Sequence, residues 1–252
     1  MIPDERRKQI LELLNEKGYI SVEELSQKLY VSLPTIRRDL TLLEKEGSVL
    51  RTHGGASFNK PDSFAEPFAL RKKTNLEEKK YIGKIAASLI QNNDTLFITS
   101  SSTCLGFANH IETNFHLDIL TNGIPLAHKL SENSNVTVEC PAGIYNYTHE
   151  GIYGKEVKEL ISKRYAQYCF TSCNGIDLVN GLTFSTDLDM TLIRACRKNC
   201  NKLVVLADHT KFGMTYYFKT LSIKEIDIII TDQEPEEKWI TYCEENGITL
   251  IY

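Results

Sequence analysis

Residues Val31 to Ala56 constrain this chain more than any other stretch. They run Val31-Ser32-Leu33-Pro34-Thr35-Ile36-Arg37-Arg38-Asp39-Leu40-Thr41-Leu42-Leu43-Glu44-Lys45-Glu46-Gly47, then Ser48-Val49-Leu50-Arg51-Thr52-His53-Gly54-Gly55-Ala56. Ser32 can cap a helix with its hydroxyl, Pro34 suits a first turn whose N–H groups lack partners, and Gly47 suits the left-handed residue that ends one. At about 100° per residue, Ile36, Leu40 and Leu43 fall on one stripe, while Pro34, Arg38, Thr41 and Lys45 lie opposite, flanked by Thr35 and Arg37. The residues after Gly47 read as a short β-hairpin. A guanidinium bridges the two acceptors on a guanine edge, and hydroxyls and lysine reach phosphates or bases, so the polar face suits a major groove. Taken alone, Arg37-Arg38 is explained as well by an ordinary solvated charged face.

The residues upstream favour the groove. Ile10, Leu13 and Leu14 give a first helix over Pro3 to Lys17, stopped by Gly18, and Tyr19-Ile20 is a short connection. Ser21 with Glu24 three residues on is a capping box, which predicts a second helix from Ser21 to Tyr30 with Val22, Leu25 and Leu29 inward. Two short helices, a tight turn and a third helix with outward arginines form a helix-turn-helix, and the hairpin makes it the winged form. Arg51 and His53 sit where a wing lies beside phosphate or the minor groove.

The segments Ile36-Arg37-Arg38-Asp39-Leu40 and Leu50-Arg51-Thr52-His53-Gly54-Gly55-Ala56 together resemble the N-terminal signature of the DeoR-type bacterial transcriptional regulators. The resemblance implies that the third helix reads DNA. The expected DNA-binding residues are Ser32, Pro34, Thr35, Arg37, Arg38 and Thr41 on the helix and Arg51 and His53 on the wing. Asp39 is expected to serve the structure, pairing with an arginine.

The chain of 252 residues with 42% hydrophobic content suits a small domain plus one of middling size: 1–57 the winged helix-turn-helix, 58–75 a linker with Pro61, Pro67 and the basic run Arg71-Lys72-Lys73, and 76–252 the larger domain. No apolar run reaches the roughly 18 residues that a membrane span needs, and the charged start lacks a signal peptide's apolar core, so the expected location is the cytoplasm. Residues 1–57 hold nine Lys+Arg and nine Asp+Glu, so the head is neutral and the remainder carries the net −4. Binding to DNA must then come from where the arginines sit, and salt dependence should reflect few phosphates per head. Seven cysteines read as reduced thiols. Cys169-x-x-x-Cys173 and Cys196-x-x-x-Cys200 have no histidine at matching spacing, so they are read as buried side chains, with no metal or other cofactor expected.

In the larger domain, apolar runs of strand length alternate with helical patterns. Strands are expected at Leu96–Thr99, Leu117–Thr121, Val136–Cys140, Tyr168–Ser172, Leu203–Leu206, Asp227–Thr231 and Thr249–Tyr252. Helices are expected at Leu76–Asn92, Thr103–Glu112, Pro125–Leu130, Lys155–Lys163, Asp187–Asn199 and Glu237–Glu245. This alternation implies an α/β fold with a parallel sheet covered on both faces, in which ligands bind beyond the carboxyl ends of strands. Polar residues collect at those ends. Thr99-Ser100-Ser101-Ser102-Thr103 brings hydroxyls and backbone N–H groups to one point suited to phosphate. Thr121-Asn122-Gly123, Cys173-Asn174-Gly175 and Ala207-Asp208-His209-Thr210-Lys211 follow other strands, Lys211 offering a cation and Asp208 and Asn122 partners for sugar hydroxyls. For each of these alone, a turn or cap role explains the residues as well.

The same segments, with Gly175-Ile176-Asp177, Gly181-Leu182-Thr183, Lys211-Phe212-Gly213 and Ile230-Thr231-Asp232, resemble the effector domain of the same family, whose fold is similar to ribose-5-phosphate isomerase. The resemblance implies a phosphorylated sugar that alters DNA affinity, held by Ser100, Ser101, Ser102, Thr103, Asn122, Gly123, Asn174, Gly175, Arg194, Asp208 and Lys211. The pattern departs at Thr99, where the family has an acid, at Ser101 and Ala142, where it has glycine, and at Leu188 and Ile193, where an acid and a lysine are usual and Asp189 and Arg194 are neighbours. The expected function is a repressor of a carbohydrate-metabolism operon, relieved by a phosphorylated sugar and at least dimeric, because two half-sites require two heads. The alternatives are a constitutive DNA-binding protein with a vestigial pocket and a sugar-phosphate isomerase carrying a DNA-binding head, for which Asp208, Asp177 and Asp187 are the available carboxylates.

Overall fold

The structure is a computed structural model that describes residues 3–17, 19–45, 49–52, 54–58 and 67–252. It divides into two compact units, Met1–Pro67 and Phe68–Tyr252. Gly18, Gly47 and His53, together with the side chain of Arg51 and residues 59–66 of the expected linker, lie outside the described residues.

In the first unit α1 (Pro3–Lys17), β1 (Tyr19–Ser21), α2 (Val22–Leu29), α3 (Leu33–Lys45), β2 (Val49–Thr52) and β3 (Gly55–Phe58) follow in order. Ile10, Leu14, Val22, Leu25, Leu29, Ile36, Leu40 and Leu43 from the helices meet Ile20, Val49 and Ala56 from the strands in one core. Tyr19-Ile20, expected as a plain connection, is a third strand of the wing: Ile20 pairs with Ala56 and turns its side chain into the core. Gly55 permits this, because a Cβ there would lie 2.4 Å from the Ile20 carbonyl oxygen. Ser21 Oγ accepts the Glu24 N–H at 3.0 Å and caps α2. Tyr30 ends α2 in the left-handed region, φ 54°, and Ser26 then holds Val31 twice, its hydroxyl donating to the Val31 carbonyl at 2.6 Å and its carbonyl accepting the Val31 N–H at 3.1 Å. That pair of bonds sets the turn into α3.

Within α3, Asp39 points inward and is 3% exposed. The guanidinium of Arg6 on α1 grips it bidentately, Nε to Oδ2 at 2.5 Å and Nη2 to Oδ1 at 3.1 Å. The carboxylate holds the Arg6 guanidinium above its ordinary range, through the hydrogen bond first and its charge second.

In the second unit the elements are α4 (Phe68–Arg71), α5 (Leu76–Ser88), β4 (Thr95–Ile98), α6 (Ser102–Ala108), β5 (Leu117–Thr121), α7 (Ile124–Leu130), β6 (Val136–Glu139), β7 (Ile144–Asn146), β8 (Gly151–Tyr153), α8 (Lys155–Ser162), β9 (Ala166–Thr171), β10 (Gly175–Asp177), β11 (Gly181–Phe184), α9 (Leu188–Lys198), β12 (Cys200–Leu206), β13 (Phe218–Lys219), β14 (Ile228–Ile230), α10 (Glu237–Glu245) and β15 (Thr249–Ile251). Seven strands form one parallel sheet in the order β15-β14-β12-β9-β4-β5-β6. Side chains alternate between its faces: Leu203 and Val205 of β12 pack with α8, α9 and α10, whereas Val204 and Leu206 pack with α5, α6 and α7. Where α5 crosses α6 the backbones touch, since a Cβ on Gly83 would come within 2.8 Å of the Gly106 carbonyl.

Three features depart from expectation. Phe68, counted within the linker, is 1% exposed in the core of the second unit, and its N–H donates to the Thr148 carbonyl at 2.8 Å. Two small antiparallel assemblies, β10-β11-β13 and the hairpin β7-β8, were not expected; their strands are two to four residues long, too short for a periodic signal. The second helix of this domain is also shorter than the expected Thr103–Glu112, running Ser102–Ala108.

The β7-β8 connection leads into a buried polar tie. Tyr153 OH donates to Asp189 Oδ1 at 3.0 Å, and His149 Nδ1 stands 3.8 Å from Asp189 Oδ2. Burial pushes His149 below its ordinary value of 6.5 while Asp189 pulls it up, and burial raises Asp189. A histidine shifted down contributes stability that is complete above 6.5 and is lost as pH falls through its folded value. An acid shifted up does the reverse, losing its contribution as pH rises through its folded value.

Two outcomes are expected. Asp39→Ala should destabilise the first unit by about 3 kcal/mol in denaturant titration, since it takes away the bidentate acceptor of a buried guanidinium; a change under about 1 kcal/mol would refute the pair's role. His149→Gln should reduce the loss of stability seen as pH is lowered below 6.5, and an unchanged profile would refute the assignment.

Candidate functional site

The DNA-facing candidates divide by the inward turn of Asp39. With that carboxylate held by Arg6, the outer face of α3 presents Pro34, Arg37 and Arg38 exposed and Thr35 and Thr41 half-buried. Ser32 is exposed, and its hydroxyl pairs with the Thr35 hydroxyl at 2.9 Å, while its carbonyl accepts the N–H groups of Thr35 and Ile36. The expected cap is thus a hydroxyl pair. Thr41 Oγ1 donates to the Arg37 carbonyl at 2.8 Å, a bond back to its own helix. On the wing, Arg51 lies in β2 opposite Ala56.

The parallel sheet has one place where its strand order reverses. From β4 the chain moves outward through β5 to β6, then returns to the other side of β4 at β9 and continues outward through β12, β14 and β15. The carboxyl ends of β4 and β9 therefore flank the crevice where such sheets hold ligands. Ser100 to Thr103 follow β4, and Asn174 and Gly175 follow β9. A cavity of about 200 Å³ lined by Ala108, Leu130 and Val136 lies at the opposite, amino edge and contains none of the expected residues.

Most polar groups at the crevice are engaged with one another. Thr99 Oγ1 pairs with Thr171 Oγ1 at 2.9 Å, joining β4 to β9. Ser100 Oγ donates to the His149 carbonyl at 2.9 Å, and Ser101 Oγ accepts the Cys104 N–H at 2.9 Å as the cap of α6. Among the described residues, the hydroxyls of Ser102 and Thr103 bond no protein group. Asn122, 1% exposed, accepts the Ser100 N–H at 2.8 Å and donates to the Ile152 carbonyl at 3.2 Å, so it pins the ends of β4, β5 and β8 together. Gly123 packs against Ser100, where a Cβ would lie 3.1 Å from the Ser100 Cα.

On the other flank, Asn174 Oδ1 accepts from the Ser185 N–H at 3.1 Å and hydroxyl at 3.3 Å. Gly175 leaves room for the Met214 carbonyl, which would lie 2.3 Å from a Cβ. Asp208, 1% exposed, accepts from the N–H and hydroxyl of Thr210 and caps the short turn His209–Lys211. Lys211 is half-buried on that turn, close enough to Cys173 to lower its thiol against burial, which pushes it up to about 12. Arg194 has no hydrogen bond or ion pair to these residues. It is exposed on α9, whereas Asp189 and Ile193 are buried, so the helix turns Asp189 inward in its place. Sequence reasoning also passed over Thr171 and His149; the Thr171-Ser172 pair at a strand end repeats the signal of Thr99-Ser100, but nothing marks His149. Among the described residues no cluster of three or more His, Cys, Asp or Glu could hold a metal ion, and no helix is long and apolar enough to cross a membrane.

Comparisons with known sequences match both units of the chain. A profile of the DeoR-like helix-turn-helix domain matches residues 6–62, and one of the DeoR C terminal sensor domain matches residues 74–233. The HTH-type transcriptional regulator GolR of Listeria innocua is 38% identical over 237 residues, 93% of this chain and 92% of that protein. The glycerol-3-phosphate regulon repressor of Escherichia coli is 32% identical over 231 residues, 92% of this chain and 91% of that protein. Among solved structures, ribose 5 phosphate isomerase A from Neisseria gonorrhoeae is similar over 56% of this chain and 55% of its own, at TM-score 0.42 and 12% identity. With both profiles matched in order and relatives of like length spanning nearly all of it, the chain belongs to the DeoR family of helix-turn-helix transcriptional regulators.

Proposed function

We propose that this regulator represses a carbohydrate-metabolism operon in the cytoplasm by binding double-stranded operator DNA as a homo-oligomer, at least a dimer, and lets go when a phosphorylated sugar occupies the second unit. The observation that carries the DNA half is the exposure of Arg37 and Arg38 on α3 while Asp39, between them and the core, is taken by Arg6. An exposed guanidinium can fork onto a guanine edge, with Ser32, Pro34, Thr35 and Thr41 beside the backbone and Arg51 and His53 supplied by the wing.

For the effector half, the support is the position of Ser102 and Thr103 at the sheet's switch point, with Lys211 on the same carboxyl edge. Their hydroxyls and first-turn N–H groups suit phosphate oxygens. Ser100, Ser101, Asn122, Gly123, Asn174, Gly175 and Asp208 then shape the crevice more than they touch the ligand, since their polar groups are bonded within the protein or their lack of a side chain admits a neighbouring backbone. The Escherichia coli relative, named for a phosphorylated polyol, is consistent with this ligand class. The ligand releases DNA by favouring the form that binds it less well, a coupling on the order of 1–3 kcal/mol. Catalysis is not part of the reading: Asp208 and Asp177 cap turns and Asp187 is exposed.

One observation favours a second reading, a constitutive DNA-binding protein: three of the five hydroxyls from Thr99 to Thr103 are already bonded to protein groups. A gel shift on the protein's own upstream region, with and without a panel of pentose and hexose phosphates, separates the two. Release by at least one of them is expected, and retention of DNA with all of them would favour the second reading. In the same assay Arg38→Ala should weaken binding by about 1–3 kcal/mol and relax base preference at one position. A uniform loss over all sequences would mean that Arg38 holds phosphate, and no loss would refute the interface.

A further inference from the structure

The residue next to Asp208 is placed differently from it. His209 begins the turn at the carboxyl end of β12, and two of its groups bond one carboxylate: the ring Nδ1 lies 2.7 Å from Asp232 Oδ2, and the backbone N–H donates to Asp232 Oδ1 at 2.7 Å. Asp232, just beyond β14, is itself nearly buried, its side chain 7% exposed, and also accepts from Thr231 and Gln233. Held at ring and backbone by one fixed acceptor, the imidazole has little freedom to turn. It is nevertheless 42% exposed, and its Nε2 bonds no protein group among the described residues.

The tautomer follows from these bonds. A carboxylate at Nδ1 requires a proton there, so in the neutral ring Nε2 carries a lone pair directed outward. A tie between two strand ends needs only the backbone bond to Asp232; the ring adds an aimed acceptor at the ligand edge of the sheet. That edge also fixes what it can reach. In the order β12-β9-β4 the His209 turn stands two strand spacings, about 10 Å, from the loop that follows β4. A phosphorylated sugar with its phosphate at Ser102 and Thr103 reaches that turn when its carbon chain lies along the carboxyl edge.

We propose that His209, held by Asp232 as its positioning residue, is a specificity-determining contact of the effector crevice that accepts a hydrogen bond from a sugar hydroxyl through Nε2. This rests on the effector reading above, and it places the sugar-recognising end of the site on the β12 and β14 termini.

The test is thermal unfolding of the full chain with inorganic phosphate and with the same pentose and hexose phosphates. Inorganic phosphate fills only the β4 loop, whereas a sugar phosphate also reaches His209. For wild type, a sugar phosphate should raise Tm more than phosphate does at equal concentration. In His209→Ala that extra rise should disappear while the rise with phosphate alone remains. His209→Asn retains a side-chain N–H for Asp232 but has nothing in the place of Nε2, so it should stay folded and lose the same increment, which keeps the test valid if the alanine variant does not fold. Asp232→Asn, with the ring less firmly held, should lose part of it. An undiminished sugar increment in His209→Asn overturns the proposal while leaving the effector reading intact; equal loss of both shifts makes His209 a structural tie and overturns it too. If no phosphorylated sugar shifts the wild type, both fall.

Discussion

Burial of every central strand on two faces is the constraint from which the second unit's chemistry follows. Strands such as β12 and β4 send the alternate side chains of Leu203–Leu206 and Leu96–Ile98 into two separate apolar layers, which leaves no place for a polar group over those residues. Hydroxyls, amides and carboxylates are therefore displaced to the strand ends. The reversal of order between β4 and β9 then opens a gap at the carboxyl edge, where helices leave on opposite faces. Composition of the loops and position of the crevice have one cause.

The first unit solves a related problem on a single helix. α3 has to bury aliphatic residues, present cations and accommodate a carboxylate that would neutralise them. Its 13 residues do so by angle: Ile36, Leu40 and Leu43 face the core, Arg37 and Arg38 face out, and Asp39 is turned to meet a guanidinium from α1. The inward pair raises the cost of losing α1 from the bundle and takes the Asp39 carboxylate away from the outward arginines. A head without net charge can in this way present a cationic face.

What could be read from residues alone was whatever had a period or a marked end. The seven strands of the parallel sheet were visible as apolar runs, and the helix order of the head followed from Ser21, Pro34 and the aliphatic spacing. Phe68 was misplaced because one aromatic between two prolines and a basic run has no periodic context; only its hydrogen bond to Thr148 and its burial reveal its unit. The candidate site was legible by location and much less by role. Asn122, Asp208 and Asn174 belong to residue types that serve ligands and turns alike, and only the bonds they make in three dimensions separate the uses. Arg194 and Asp189 lie five positions apart on one helix, enough to send them to different faces, a difference that naming them as neighbours could not resolve.

The crossing of α5 over α6 at Gly83 and Gly106 bears on how an event at the crevice could travel. Backbones in direct contact have no side chains between them to absorb a shift by changing rotamer, so a displacement of one helix at that point presses directly on the other. The first of the two helices in this contact, α5, begins a few residues after Arg71, and α6 begins with Ser102 and Thr103 after its cap Ser101. A shift of the hydroxyl loop would thus meet α5 without an intervening layer of side chains at this one crossing, and α5 starts just after the helix that opens the domain.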